Sequence, residues 1–169
     1  MFKELKANNV TVLENVNVVE VKSSGVLLDD GCHVDATFVV GAAGATPHAW
    51  LRSTNLKLHN GFVVVDDTLQ TSEPNVFAVG DCAHMAFDPR PKAGVYAVRQ
   101  APVLLENLKR SLSSSELETY KPQKDYLKLV SLGGKRAFGE KNGLSMSGRI
   151  VWQVKNYIDK KFMKQFRQY

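Results

Sequence analysis

Thirteen residues near the middle of the chain, Thr71-Ser-Glu-Pro-Asn-Val-Phe-Ala-Val-Gly-Asp-Cys-Ala83, constrain what can be built around them. Ser72-Glu73-Pro74-Asn75 is turn chemistry, with Pro74 fixing its own φ. Residues 76–79 are a short apolar run, which predicts a strand covered on both faces. Gly80 ends that strand with a residue that lets another backbone or a ligand come close, and Asp81 follows with a carboxylate. In open α/β sheets, ligands sit off the carboxyl ends of strands, so Asp81 is expected to stand where a ligand sits. The fold class read from this is α/β.

The octet Val76-Phe77-Ala78-Val79-Gly80-Asp81-Cys82-Ala83 resembles the second flavin-binding motif of the pyridine nucleotide-disulfide oxidoreductases in the broad sense. These are two-dinucleotide-binding flavoproteins and include type II NADH dehydrogenases and sulfide:quinone oxidoreductases. The resemblance implies that Asp81 accepts a hydrogen bond from a ribityl hydroxyl of FAD, a role that suits a charged acceptor. Gly-Asp alone reads as a strand end with a solvated carboxylate. The octet and the preceding run Gly61-Phe-Val-Val-Val-Asp-Asp-Thr-Leu-Gln-Thr71 carry the likeness.

A chain of 169 residues fits one domain of ordinary size. It has no apolar run of about 18 residues, so no spanning helix is expected. The start, Met1-Phe2-Lys3-Glu4-Leu5-Lys6, is of mixed charge and unlike a signal peptide. Cys32 and Cys82 stand far apart in no metal or redox spacing, which points to a reducing compartment and to no metal site. Cys32 beside His33 reads as structural. The expected location is the cytoplasm, with a peripheral place on the inner face of the cytoplasmic membrane as the variant.

Residues 1–8 read as a helix end broken by Asn8-Asn9, and residues 10–13 as a strand. Residues 16–22 are rich in β-branched residues and predict a second strand. Ser23-Ser24-Gly25 and Asp29-Asp30-Gly31 are turn signals on either side of a strand at 26–28. His33 opens another strand, which the apolar run 36–40 is expected to complete. This hairpin-rich pattern resembles the last part of the family's NAD(P)H domain. Gly41-Ala-Ala-Gly44-Ala-Thr-Pro47 follows and resembles the segment that leads back to the FAD domain. Ala42-Ala43-Gly44 stands where the family has Ala-Thr-Gly, so Gly44 is a candidate for close approach to the dinucleotide. Residues 50–56 could form a short helix, Asn60-Gly61 a tight turn, and residues 62–65 a strand.

Two prolines hold open the loop Asp88-Pro-Arg-Pro-Lys92, and residues 94–112 then predict a strong helix. Val98, Ala101, Leu105, Leu108 and Leu112 fall on one face. Pro102 predicts a kink or boundary. The resemblance implies that this helix points its positive end at the flavin, which makes Lys92, Ala93 and Gly94 candidate cofactor-binding residues. Type II NADH dehydrogenases tend to carry Ala-Gln-x-Ala-x-Gln here, near the quinone. Gln100 matches, but Gly94 replaces the first Gln, so a quinone is not carried over as acceptor.

Past a polar connector at 111–118, residues 126–131 read as a strand, Gly133-Gly134 as a turn, 136–138 as a pairing segment, 139–147 as loop or strand, and 149–166 as a helix. Tyr120-Lys-Pro-Gln-Lys-Asp-Tyr126, with Trp152, Lys155, Ile158, Asp159, Phe162 and Met163, resembles the narrower branch fused to, or encoded beside, selenide, water dikinase. The resemblance divides the chain into the end of an NAD(P)H-binding domain (1–44), the C-terminal half of an FAD-binding domain (45–115) and a strand-helix region (116–169). The family needs two Gly-x-Gly-x-x-Gly loops, one per pyrophosphate, and this sequence has neither. The expected protein is therefore the C-terminal portion of an FAD-dependent oxidoreductase that takes hydride from NAD(P)H. The missing N-terminal half is its partner, and this chain alone is expected to be inactive. The flavin does the chemistry, so no catalytic side chain is named. The competing reading is a non-catalytic module for dimer or membrane contact.

Of 22 Lys/Arg and 17 Asp/Glu, six and one fall from Arg149 onward, which leaves sixteen of each before it. The basic character thus belongs to the last helix. Ile150, Val154, Ile158, Phe162 and Phe166, widened by Val151 and Met163, form its stripe, with Lys155, Lys160, Lys161, Lys164 and Arg167 mostly around it. No nucleic-acid motif accompanies it. Such a helix docks on an anionic membrane surface or packs on its own core. The family resemblance, in which C-terminal helices lie on the membrane, favours the first. A homodimer is the third partner considered.

Overall fold

The structure is a computed structural model that describes residues 2–166. Met1 and Arg167, both part of the reading above, lie outside the described residues. The chain divides into two compact units. One combines the residues up to Ala42 with those from Asp125 onward, and the other is Ala43–Lys124.

The first unit opens with helix α1 (Phe2–Ala7), which ends where the Asn8 side chain donates to the Glu4 carbonyl and Asn9 takes φ 55. Strands β1 (Val18–Lys22), β2 (Gly25–Leu28) and β3 (His33–Asp35) form an antiparallel sheet in that order. Two expected strands are absent: residues 10–13 and 36–40 have no regular structure, and Phe38 is 82% exposed. β-branched apolar residues suit a strand, but a strand also needs a partner edge, and beyond the Ala36 N–H on the Ser24 carbonyl neither run pairs with one among the described residues.

In the second unit, a single 3-10 segment (Ala49–Ser53) takes the place of the helix expected at 50–56. β4 (Leu58–His59) and β5 (Phe62–Val65) form a hairpin through Asn60-Gly61, at φ 50 and 83, the positive pair a type I′ turn requires. β6 (Ala83–Met85) then lies parallel to β5. The strand expected at 76–79 is not there. The segment turns back on residues 69–71 with one bridge, Phe77 to Gln70, and Leu69 and Asn75 at φ 66 and 64 curl the return too tightly for a ladder. The strand comes after Gly80-Asp81, not before it.

Helix α2 (Gly94–Leu112) has the expected bounds and carries Pro102 in its interior, so no boundary falls there. Its buried residues are Tyr96, Gln100 and Asn107, while Val103 and Leu104 pack on a core of Val65, Leu69, Ala83, Met85 and Tyr120. The stripe seen in the sequence is the other face: Val98, Leu105 and Leu108 are exposed, and Leu112 is 91% exposed.

From Asp125 the chain completes the first unit. β7 (Lys128–Gly133), β8 (Arg136–Lys141) and β9 (Leu144–Gly148) form an antiparallel sheet in that order, so the ambiguous stretch at 139–147 is mostly strand. Glu4 of α1 joins it through Arg136 at 3.2 Å and through the Ser147 hydroxyl. Helix α3 (Arg149–Lys164) lies on the sheet, and Val151 is its one buried residue. No helix among the described residues is long and apolar enough to cross a membrane.

Candidate functional site

Gly80–Cys82 forms a 3-10 turn between extended Val79 and β6. Gly80 takes φ 70, and a Cβ there would lie 3.2 Å from the Ala97 Cβ on α2, so conformation and space both call for glycine. Its N–H donates to Gln100 Oε1 at 2.7 Å. Gln100 is 1% exposed, and its amide nitrogen donates to Met85 Sδ at 3.3 Å. One buried amide thus ties α2 both to the turn and to β6. Asp81, at the apex, is exposed.

Lys92 arrives from the two-proline loop. Its ammonium donates to the Ala83 carbonyl and stands 4.2 Å from the centroid of the Phe62 ring. Burial pulls its pKa below the ordinary 10.5, and Asp81 and then Cys82 oppose that shift. Ala93 is extended at φ −154 and ψ 136, and no side-chain hydrogen bond caps α2. The helix start therefore offers N–H groups and the positive end of its dipole.

Gly80, Asp81, Lys92 and Ala93 line one small recess of about 10 Å³ together with Tyr96 and Gln100. Gly94 opens the helix beside it, with nothing within 4 Å of where a Cβ would be. Gly44 is not among the walls; it lies at φ 91 on an exposed stretch. A glycine turn, an exposed carboxylate and an uncapped helix start suit a polyhydroxyl chain leading to a group that gains negative charge. The pyrophosphate loops that FAD also needs are not in this sequence.

Sequence reasoning missed two features. Gln100 matches a Gln that type II NADH dehydrogenases carry near the quinone, yet here it is buried as a pin. The second is a stack of His59 on His84, with centroids 4.1 Å apart and planes 18° apart, formed between β4 and β6. Residue spacing gave no sign of it, because the two strands meet only through β5.

Residues 1–101 match the family described as pyridine nucleotide-disulphide oxidoreductase. The chain is 36% identical over 85 residues to the assimilatory nitrate reductase electron transfer subunit of Bacillus subtilis, covering 47% of this chain and 11% of that protein. It is 29% identical over 171 residues to the type II NADH:quinone oxidoreductase of Haemophilus influenzae, covering 89% and 36%. A crystal structure of a ferredoxin reductase from Rhodopseudomonas palustris superposes with a TM-score of 0.57 at 17% identity, over 86% of this chain and 44% of that one, a likeness of fold. The chain spans less than half the length of each of these proteins.

Proposed function

Because the chain belongs to the pyridine nucleotide-disulphide oxidoreductase family, whose cofactors are FAD and NAD(P)H, we propose that it is the C-terminal portion of an FAD-dependent oxidoreductase taking hydride from NAD(P)H. The observation that carries this is the Gly80–Cys82 turn beside the uncapped start of α2, with Asp81 exposed at its apex. When bound, FAD supplies hydride acceptance and electron relay. Asp81 accepts a hydrogen bond from a ribityl hydroxyl. Gly80 and Gly94 let the backbone approach without side-chain bulk. The start of α2 at Ala93 and Gly94 favours negative charge nearby. The relatives' names carry different acceptors.

In the full-length protein, Asp81→Ala removes a charge-assisted hydrogen bond of roughly 1.5–3 kcal/mol. FAD retention, read from flavin absorbance after gel filtration, is expected to fall with the fold intact. Retention equal to wild type would overturn the assignment of Asp81.

A second reading rests on α3. Ile150, Val154, Ile158, Phe162 and Met163 are exposed on a helix that also carries Lys155, Lys160, Lys161 and Lys164. We propose that this face meets an anionic lipid surface, with or without catalysis. Co-sedimentation with anionic vesicles at low and high salt tests it. Pelleting at low salt that is lost at high salt and in Ile158→Ser/Phe162→Ser is expected; no pelleting at low salt sinks it.

A further inference from the structure

We infer that Lys92 is a positioning residue: by holding the Ala83 carbonyl and the Phe62 ring together, it fixes the Gly80–Cys82 turn on β5 and so sets where Asp81 stands. This rests on the reading of Asp81 as the FAD contact. The family likeness pointed to Lys92 as a direct cofactor neighbour, but its ammonium is engaged by the protein itself. It donates to the carbonyl of Ala83, the residue that closes the turn and opens β6. It also lies over the ring of Phe62, the first residue of β5. One side chain therefore spans two strands that pair in parallel, Val63 opposite Ala83.

The turn is held at its other end by a different group, since the Gly80 N–H is taken by Gln100. Asp81 lies between these two ties and is itself exposed. Removing either tie leaves the carboxylate in place chemically and lets its backbone wander. A displacement of that kind costs a directional hydrogen bond as surely as losing the oxygen does. The Asp81 charge also offsets the burial of the ammonium, so the two side chains are electrostatically coupled. Cation over ring and cation to carbonyl are both stronger in a partly dry setting than in water.

The test is a double-mutant cycle on the full-length protein, with FAD titrated into the apoprotein and the midpoint potential of the bound flavin measured. Lys92→Met keeps an apolar stem and removes donor and charge. It is expected to raise the Kd for FAD about tenfold, the lower end of what a charge-assisted hydrogen bond is worth, with the potential unchanged. The double variant Asp81→Ala/Lys92→Met is expected to bind no more weakly than Asp81→Ala alone. Lys92→Arg, which retains a cation and a donor, is expected to recover most of the affinity. Phe62→Leu removes the ring without touching a ligand and is expected to weaken FAD in the same direction. It also carries the test if Lys92→Met does not fold. Full additivity in the cycle, a lowered potential with unchanged Kd in Lys92→Met, or no effect of Phe62→Leu each overturns the inference. If Asp81→Ala itself leaves the Kd unchanged, it is the earlier reading of Asp81 that falls.

Discussion

Helices α2 and α3 each carry an apolar stripe at three- and four-residue spacing, and in both that stripe faces largely outward. Leu105 and Leu112 on α2, and Ile150 and Ile158 on α3, are exposed. The helices differ in how they are held. α2 buries a second face in which two amides have fixed partners. Asn107 Nδ2 donates to the Thr68 and Glu118 carbonyls at 2.8 Å each, and its Oδ1 accepts the Glu118 N–H at 2.7 Å. Gln100 ties Gly80 and Met85 in the same way. α3 buries Val151 alone. Apolar contact attracts without fixing a unique arrangement, whereas a buried amide with three directed partners specifies one. The helix beside the candidate site is the one that is specified.

The largest effect that would break this contrast is at Asn107. Asn107→Ala strands two carbonyls and an N–H that the amide now serves, and is expected to cost about 3 kcal/mol or more. Urea unfolding followed by circular dichroism measures it, and a loss below about 1 kcal/mol would show that the amide does not set α2. Val151→Ala comes next. The side chain lies over Gly139, where an added Cβ would be 3.0 Å from Val151 Cγ1, so little can collapse into the space. A cost of about 1–2.5 kcal/mol is expected, from lost burial plus the cavity.

Acid should separate the two units. Burial, and then His59 and Lys92, hold the His84 pKa below its ordinary 6.5. Between that lowered value and 6.5 the unfolded chain binds more protons, so the stability of the second unit falls as pH drops below 6.5. His84→Gln is expected to flatten that slope. In the first unit, hydrogen bonds from Asn17 to Asp29 and from the Asn142 N–H to Asp125 hold both carboxyls below 3.8. Their contribution is present above 3.8 and is lost only as pH falls through the lowered values. Thermal melts across this range, with and without the His84 substitution, check both signs. The smallest effect is at Ile158, where a change to Ser is expected to alter stability by less than about 0.5 kcal/mol. A larger loss would mean that the exposed face of α3 is held after all.

Turn chemistry was legible in the sequence, and so was the long helix. Asp29-Asp30-Gly31, Asn60-Gly61 and Gly133-Gly134 all turn the chain, and α2 has the expected bounds. The candidate site was half legible. The Gly80-Asp81 turn follows from local pattern and the start of α2 from the family resemblance, and the two do meet. The residues that fix the site, Gln100 and Phe62, were not, because their roles depend on partners 20 positions away in one case and 30 in the other. The strand errors share a cause. Residues 10–13, 36–40 and 76–79 have strand-forming side chains, but composition does not encode an edge to pair with. The same limit explains α2, where spacing located one apolar face and the buried polar partners turned the other one inward.

The first unit is assembled from chain segments on both sides of the second. Glu4 meets Arg136 across a sequence separation of 132 and Ser147 across 143. During synthesis, the Ala43–Lys124 stretch has emerged before β8 exists, so the second unit can fold while the first is still waiting. Closing a loop of that length directly costs chain entropy that grows with the logarithm of its length, and a folded insert shortens the path to be closed. The expected order is local hairpins first, then the inserted unit, and last the closure that brings α1 onto the β7–β9 sheet, which makes that joint the slow step of folding.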